Sequence, residues 1–434
     1  MKNINIVLIH THDTGRYISP YGYNAKTNNI QRIANKGSVY RNFFTAAPTC
    51  SPSRSSLMTG LYPHQNGMYG LAHRGSRLHD YSLHLSNYLK NKDFETALFG
   101  IQHEIDKKKV NELGYNKTFC TTTTDSVKIS STASKWIKKY NSKKPFFISI
   151  GYFDTHREYV KKISENFNPN WIRPPELFLD NKQMREDMAK FYSSLEKIDK
   201  GIGKIYDTLK EKKKLNNTLI LLTTDHGIAW PGMKCNLNDH GTGIFLIAYL
   251  KNVFEGGVVY DDLTSNIDIF PTICKILDIK KPKYLNPYIL PNKKYKTKKR
   301  KYVYSEVNIH TSVEPCRSIR SKRFRLLKRL NNRKKLNLSN IDESVSKSFL
   351  LKHGLKKMRK NKEEFFDLFL DPLERNPIKD YKRLKSYKEL NKDLKKFMEN
   401  TNDPLLKKNF KWPKEIQLTP ENAENPEIII NCQD

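Results

Sequence analysis

The chain has 434 residues, of which 37% are apolar and 11% aromatic. Apolar residues occur along its whole length, which excludes collagen-like and wholly disordered proteins, and no run approaches the roughly 20 apolar residues of a transmembrane helix. Lysine and arginine number 78 against 45 acidic residues, a formal net charge of +33, which favours polyanions as partners but is explained equally well by a compositional bias towards lysine.

Predicted strands and helices alternate through the first two thirds of the chain. Nearly continuous apolar runs predict strands at residues 4–10, 96–99, 145–152, 218–224 and 244–250. Apolar residues at helical spacing predict helices at 28–36, 127–140, 183–211 and 267–277. This alternation predicts an α/β fold with a mostly parallel sheet covered on both faces. In such sheets, ligands bind beyond the carboxyl ends of the strands.

The pattern changes at residues 280–301, which contain three prolines and a cluster of lysines and predict a basic linker. Beyond it, strands are predicted at 302–307, 318–330 and 365–370, a helix at 381–398 and an extended tail after 401. We therefore expect an α/β domain at 1–279, the linker at 280–301 and an α+β subdomain at 302–434.

The cysteines are few and scattered, and none forms a Cys-x-x-Cys pair; they are Cys50, Cys120, Cys235, Cys274, Cys316 and Cys432. This usage excludes a disulfide framework and is typical of a reducing compartment. The first apolar run is too short for a secretory signal and no small-residue cleavage site follows it. A cytoplasmic location without membrane attachment is expected.

The sharpest local pattern is Cys-x-Pro-Ser-Arg at residues 50–54, followed by Leu57-Met58 and Thr59-Gly60. It matches every defined position of the signature of the sulfatase family, which the chain resembles here. The resemblance implies that a separate maturation enzyme converts Cys50 to Cα-formylglycine (3-oxoalanine), whose hydrated aldehyde is the nucleophile. It also implies an alkaline-phosphatase-like three-layer sandwich with a small C-terminal antiparallel sheet, residues 1–279 being the catalytic domain.

The residues around Cys50 favour the binding of an anion. Pro52 is favoured in the first turn of a helix, and a helix N-terminus beside residue 50 attracts negative charge. Arg54, one turn further on, is predicted to donate charge-assisted hydrogen bonds to the diol or the sulfate.

Two predicted strand ends offer metal ligands. His12-Asp13 stands where the family has two aspartates, and Asp225-His226 follows the strand at 218–224. The resemblance implies a divalent metal held by His12, Asp13, Cys50, Asp225 and His226. Ca²⁺ is the first expectation by resemblance, whereas an imidazole ligand suits Mn²⁺ or Zn²⁺ better, so these ions stay open.

A second group of residues is implied to handle protons and the sulfate charge. His103 matches the family's base that drives sulfate release, His156 the donor to the leaving group, and Lys234 the cation at the sulfate. Ile101 stands where the family has a lysine. The polar residues considered as replacements for that lysine are Gln102, Arg16 and Arg74.

Residues 64–71, 364–374 and 401–404 extend the resemblance to the sulfamidase branch of the family, which acts on N-sulfoglucosamine. That likeness places Glu306 and Arg317 near the sugar as substrate-binding residues, although ordinary edge-strand charges explain them equally well. The predicted activity is hydrolysis of a sulfate ester or sulfamate on a sulfated sugar or glycan fragment. An O-sulfated sugar and a small aryl sulfate stay open as substrates.

Two other functions stay open from the sequence. His12 and the absence of a lysine at 101 favour a phosphodiesterase or phosphonate monoester hydrolase on the same scaffold. The basic surface favours a non-catalytic polyanion-binding protein in which Cys50 is unmodified, but separate motif matches along the chain argue against it. Nucleic acid is not an expected partner.

Overall fold

The computed structural model of the protein describes residues 3–427 and 429–431, so that Cys432 lies outside the described residues. The strands are β1 (Asn5–Thr11), β2 (Ser38–Tyr40), β3 (Phe43–Phe44), β4 (Glu95–Gly100), β5 (Lys117–Phe119), β6 (Phe146–Gly151), β7 (Thr218–Thr224), β8 (Leu246–Tyr249), β9 (Val258–Tyr260), β10 (Thr264–Ser265), β11 (Val303–Ile309), β12 (Val313–Arg320), β13 (Phe324–Arg329), β14 (Glu363–Asp367), β15 (Gln417–Leu418) and β16 (Ile430–Asn431). The α-helices are α1 (Asn28–Ala34), α2 (Cys50–Thr59), α3 (Pro63–Asn66), α4 (Leu85–Lys90), α5 (Ser126–Lys139), α6 (Lys182–Glu211), α7 (Asp239–Thr242), α8 (Ile269–Leu277), α9 (Val345–Lys352) and α10 (Lys385–Asn400).

Eight strands form the central sheet in the order β5-β4-β6-β1-β7-β8-β2-β9. Neighbouring strands run parallel except β8, which is antiparallel to both β7 and β2. The prediction of a mostly parallel sheet is confirmed. Since parallel strands end at the same edge, the loops after β4, β6, β1 and β7 meet there.

The core lies on both faces of this sheet, as the alternation along β1 illustrates. Val7 and Ile9 pack into the cluster formed with α1, α5 and α6. Ile6 and Leu8 point the other way, into the cluster formed with α2, α4 and α8. Successive side chains of a strand face opposite sides, so an unbroken apolar run is needed when both faces are covered. This explains why the strand was recognisable from its composition.

Predicted elements of the first 279 residues have ends within about two residues of the observed ones. The prediction of a single strand at 318–330 is wrong, because a turn after Arg320 divides it into β12 and β13. In that turn Ser321 N–H donates to Phe324 O at 2.8 Å and Phe324 N–H donates back to Ser321 Oγ at 2.8 Å. The turn contains neither glycine nor proline, so local composition gave no sign of it.

Residues 278–302 contain no helix or strand and lie against the α/β domain. Leu285 and Leu290 are buried in the core cluster of α2, α4 and α8. Tyr40 Oη donates to Pro291 O at 2.6 Å, and Arg300 forms an ion pair with the buried Asp268. This segment is therefore attached along its length.

The C-terminal part forms the predicted antiparallel sheet, in the order β11-β12-β13-β14, with α10 packed on one face. The five described cysteines are free thiols. Among the described helices, none combines the length and apolarity needed to cross a bilayer.

A buried ion pair joins this sheet to the α/β domain. His64 donates its backbone N–H to Glu306 Oε1 at 2.9 Å, and its ring nitrogen Nδ1 contacts the other oxygen. Arg317 donates to Asp403 at 2.9 Å through Nη2, and Asp403 also accepts from Leu405 N–H. The motif at 64–71 therefore holds the two parts of the chain together, whereas the motif at 401–404 fixes Arg317 within the C-terminal part.

The Glu306 contact makes stability depend on pH. Burial alone raises the pKa of Glu306, but His64 and Arg317 lower it from 4.5 to about 2. By linkage, roughly 3 kcal/mol of folding stability is present above pH 4.5 and is lost as the pH falls through 2. We expect the free energy of unfolding, measured with urea, to depend less on pH in this window for Glu306→Gln than for the unaltered protein. The exposed Glu389→Gln serves as control and should keep the pH dependence of the unaltered protein. Equal pH dependence of Glu306→Gln and the unaltered protein would contradict this expectation.

Candidate active site

The loops that follow four neighbouring parallel strands supply the candidate site. His12 and Asp13 follow β1, His103 follows β4, and His156 follows β6. Asp225 comes directly after β7. Close backbone approach brings two of these loops together: a Cβ at Gly151 would lie 1.8 Å from Ile101 O, a space that only glycine leaves free.

Cys50 is the first residue of α2 and lies beside these loops. Its side chain is buried, and Sγ is 3.3 Å from His226 Nε2. Burial raises the pKa of the Cys50 thiol, more than the nearby Lys234 ammonium lowers it. A protonated thiol is a poor nucleophile. Cys50 is therefore placed for chemistry at the N-terminus of a helix, but its thiol is not activated.

Two carboxylates face the thiol. Asp13 N–H donates to Asp225 Oδ1 at 2.9 Å, so the loops after β1 and β7 are linked directly. His226 Nε2 lies 3.4 Å from Asp13 Oδ1 and 3.7 Å from Asp225 Oδ2. His226 Nδ1 is 2.9 Å from Gly227 O, which only accepts, so Nδ1 carries a proton and Nε2 is the ring nitrogen that faces the carboxylates.

The unpartnered atoms of this cluster fit a cation. Neither ring nitrogen of His12 nor Asp13 Oδ1 has a hydrogen-bond partner among the described residues, although all are buried. Burial, with the charge of Arg54, lowers the pKa of His12, so its ring is neutral. Ligand atoms of His12, Asp13, Cys50 and Asp225 lie within 4.8 Å of one another. Buried carboxylates and imidazoles without donors are satisfied by a divalent metal.

Arg54 connects the helix of Cys50 to the strand ends. Its Nη2 donates to Asp225 Oδ2 at 2.9 Å and to Thr11 O at 2.7 Å, and Nη1 contacts His10 Nδ1. Its Nε is buried and has no hydrogen-bond partner among the described residues. Arg54 therefore fixes Asp225 and joins α2 to β1, and its donation to the diol or the sulfate stays a prediction.

Lys234 supplies a second buried cation beside Arg54. Its Nζ donates to Asp13 Oδ2 at 2.9 Å and to Asp342 Oδ1 at 3.2 Å. Burial lowers the pKa of Lys234, but Asp13 and Asp342 raise it well above its usual value, so the ammonium stays charged.

Histidines form the wall opposite the carboxylates. The His103 ring lies 4.8 Å from that of His12 in a T-shaped arrangement, and His156 stacks on Phe153 at 4.4 Å. Burial and then the charge of Arg54 lower the pKa of His103, which leaves it neutral and able to accept a proton. His73, whose ring centroid is 6.2 Å from that of His103, lies at the exposed rim.

Gln102, Arg16 and Arg74 do not replace the missing lysine at position 101. Gln102 uses both ends of its amide in its own loop, donating to Ile105 O at 2.8 Å and accepting from Ile105 N–H at 2.9 Å. Arg16 pairs with Asp239 at 2.7 Å, and Arg74 donates to Thr419 Oγ1 at 2.9 Å. The prediction that Gln102 binds substrate is therefore corrected, because its polar atoms are already bonded.

Glu306 and Arg317 also lie outside the site. Each side chain is 1% exposed, and their partners are His64 and Asp403. A substrate has no access to either group as the protein is folded. The predicted substrate-binding role is corrected to a structural one, since Glu306 stabilises the contact between the two parts of the chain and Arg317 stabilises the C-terminal part.

Asp342 and His310 complete the site and were not recognised in the sequence. Both come from the C-terminal part, where Asp342 precedes α9 and His310 follows β11. Burial alone raises the pKa of Asp342, but the charges of Lys234 and His156 hold it well below its usual range, so it is ionised. Neither residue stands in a recognisable motif. Asp342 is revealed by its contact with Lys234 across 108 positions, and His310 by its pKa, which burial and then the charge of Lys234 lower.

Asp342 is expected to act by positioning Lys234. In Asp342→Asn the ammonium loses one of its two carboxylate partners, so it moves towards Asp13 and away from an incoming anion. We expect kcat/KM for a sulfated substrate to fall about tenfold, mainly through KM, because binding is lost more than chemistry. The neighbouring, more exposed Glu343→Gln serves as control. An unchanged KM in Asp342→Asn would contradict the role.

Comparison with known proteins finds relatives of this chain. The sequence model of the family described as Sulfatase matches residues 4–279. The human N-sulphoglucosamine sulphohydrolase is 26% identical over 373 residues, which cover 75% of this chain and 73% of the human protein.

Solved structures share the fold. BT4656, in complex with its substrate D-glucosamine-2-N,6-O-disulfate, superposes with a TM-score of 0.69 at 17% identity, covering 93% of this chain and 99% of that one. The phosphonate monoester hydrolase of Agrobacterium radiobacter gives a TM-score of 0.65 at 16% identity, covering 92% and 95%. The expected alkaline-phosphatase-like architecture is confirmed.

Proposed function

The chain belongs to the sulfatase family and is a sulfuric ester hydrolase, and on this premise we propose that it removes sulfate from a sulfated sugar resembling N-sulfoglucosamine. Residue 50, after conversion from cysteine to Cα-formylglycine, is the proposed nucleophile. One hydroxyl of the hydrated aldehyde supplies the attack on sulfur and the second allows sulfate to leave, which a single hydroxyl does not provide.

One observation carries this proposal. Cys50, at the start of the buried helix α2, lies in a cluster with His12, Asp13 and Asp225, and the ammonium of Lys234 contacts the same Asp13. The cluster combines a nucleophile position with carboxylates that are able to hold a cation and with the ammonium of Lys234, and such positive charge stabilises the negative charge that develops when a sulfuryl group is transferred. The buried, protonated thiol supports modification, because unmodified Cys50 lacks activation.

We propose that His12, Asp13, Asp225 and His226, together with residue 50, hold a divalent metal. When bound, the ion stabilises negative charge on the sulfate and on residue 50. Ca²⁺ is proposed first from the family, and Mn²⁺ or Zn²⁺ is the alternative that two imidazole ligands favour. Elemental analysis of the purified protein distinguishes these ions.

The remaining polar groups have proposed roles around the sulfate. Lys234 binds a sulfate oxygen, and Asp342 orients it. His103 accepts a proton when sulfate leaves residue 50, for which its neutral ring is suited. His156 donates to the leaving group from the stack on Phe153. Arg54 positions Asp225.

A second candidate is hydrolysis of a phosphonate monoester or phosphodiester. Ile101 in place of a lysine and His12 in place of an aspartate favour it, because the site has one cation fewer and one imidazole more than the family pattern. A non-catalytic polyanion-binding protein is set aside by the family assignment.

The test compares kcat/KM for four substrates: N-sulfoglucosamine, glucosamine 6-sulfate, an aryl sulfate and an aryl phosphonate. Each is measured with Ca²⁺, Mn²⁺ and Zn²⁺ restored to metal-free protein. We expect a sulfated substrate to be preferred, with N-sulfoglucosamine the best sugar. Faster turnover of the phosphonate with Mn²⁺ would overturn the proposal and establish the second candidate.

A further inference from the structure

A segment rich in lysine lies outside the candidate site, at residues 280–301, and is called the basic strap below. This segment contains nine lysines and one arginine, and residues 279–305 contain no aspartate or glutamate. Residues 315–341 hold as many basic residues without an acid, but most of those cations pair with carboxylates from other parts of the chain, as Arg317 does with Asp403 and Arg325 with Glu374. Composition alone therefore does not set the strap apart, and the pairing of its lysines decides whether its charge is available.

The strap is held in place by its uncharged and buried residues. Leu285 and Leu290 enter the core, and Tyr40 Oη donates to Pro291 O at 2.6 Å. Arg300 pairs with Asp268, two residues from Asn266, whose Nδ2 donates to Ser53 O of α2 at 3.0 Å. The lysines therefore stand on a fixed backbone connected to the catalytic helix, which lowers the entropic cost of binding a partner.

The lysines of the strap are exposed and lack acidic partners. Lys293, Lys294, Lys296, Lys298 and Lys299 are all exposed. Across residues 3–427 and 429–431, no carboxylate oxygen lies within 4.0 Å of their ammonium groups. Asp262 lines a small cavity with Lys298 and Lys299 without forming an ion pair. These charges are available to an external anion.

The surroundings of the tyrosine rings in the strap indicate which class of polyanion it can bind. Lys298 lies 5.8 Å and Arg300 4.0 Å from the centroid of the Tyr288 ring, and Lys294 lies 5.9 Å from that of Tyr295. Cations thus occupy faces of Tyr288 and Tyr295 that a nucleobase would need for stacking, and the single arginine is already paired. The leucines are buried, and Tyr284, which is 38% exposed, is a small apolar surface compared with what anchors a protein in a membrane. A linear sulfated chain needs only spaced ammonium groups.

We propose that the basic strap is a binding site for a sulfated polysaccharide, separate from the catalytic cluster. It retains a polymeric anion on the enzyme through several ammonium–sulfate contacts. The choice of a sulfated polymer rests in part on the proposed function, whereas binding itself requires no turnover.

The test uses the full chain carrying Cys50→Ala, so that catalysis does not alter the ligand, with heparin as the probe. The strap variant replaces the five exposed lysines named above by glutamine. The matched control replaces five exposed lysines on or beside α5 and on α6, on the opposite face of the sheet: Lys128, Lys135, Lys139, Lys143 and Lys210. Both variants lose the same charge, and thermal melting checks that both are folded.

We expect the strap variant to bind heparin about tenfold more weakly, with a smaller salt dependence, because counterion release falls with each lost contact. The control should change by less than about threefold. Equal losses in the two variants, or no binding of heparin by the parent chain, would overturn the site. Tighter binding of single-stranded DNA than of heparin through the same lysines would overturn the polysaccharide assignment.

A separate measurement keeps this result distinct from the proposed function. The strap lysines, replaced in the chain with Cys50 intact, should leave turnover of a small aryl sulfate unchanged, since they lie outside the cluster around residue 50. A loss of that turnover would overturn the separation of the two sites. Failure of the intact protein to hydrolyse any sulfate would reject the proposed function. The heparin measurement would still decide whether the strap binds a sulfated polymer, because binding does not require turnover.

Discussion

Cys50→Ala is expected to abolish sulfate hydrolysis without unfolding the protein. Alanine retains the helix α2 and its buried position but cannot be converted to an aldehyde, so the nucleophile is absent. We expect kcat/KM to fall by at least about 10⁴-fold, the scale seen when a nucleophile is removed. Steady-state kinetics with an aryl sulfate, together with circular dichroism, measure both parts of the prediction.

The control for this variant is Cys120→Ala, which removes a half-buried thiol whose Sγ lies 3.5 Å from Thr132 Oγ1, away from the site. It should keep activity close to that of the unaltered protein. Turnover by Cys50→Ala within about tenfold of the parent would show that another group is the nucleophile.

His103→Ala is expected to separate the two halves of the reaction. The leaving group departs in the first half, which does not need His103, whereas release of sulfate from residue 50 needs a proton acceptor. Rapid mixing with an aryl sulfate should give a burst of about one product per enzyme, followed by steady turnover slower by about 10²- to 10⁴-fold.

His353→Ala is the control, because His353 is exposed directly after α9 and stacks on Phe349. It should show no burst and normal turnover. Unchanged steady turnover in His103→Ala would remove this residue from the role. Loss of the burst as well would place His103 in the first half of the reaction.

The sheet and the strand-end residues were predictable because their signals are local. An unbroken apolar run marks a strand covered on both faces, and polar residues directly after it mark the edge where parallel strands end. His12, Asp13 and Asp225 follow this rule, and Cys50 was found through a contiguous signature. All four lie together in the structure.

The predictions that failed concern residues whose roles depend on contacts between distant positions or on backbone geometry. Asp342 joins Lys234 across 108 positions, and Arg317 is neutralised by Asp403 across 86. Gln102 was assigned to substrate on residue type, yet its amide is used within its own loop. Asp13 and His103 adopt the left-handed conformation, with φ of 47° and 59°, which residue type does not indicate.

The central claim is that residue 50 is formylglycine, and peptide mass spectrometry tests it most directly. Trypsin releases residues 42–54, bounded by Arg41 and Arg54, from protein isolated from its native host. We predict a peptide lighter by about 18 Da than the cysteine form, since the thiol becomes an aldehyde. A peptide with only unmodified Cys50 would contradict the claim.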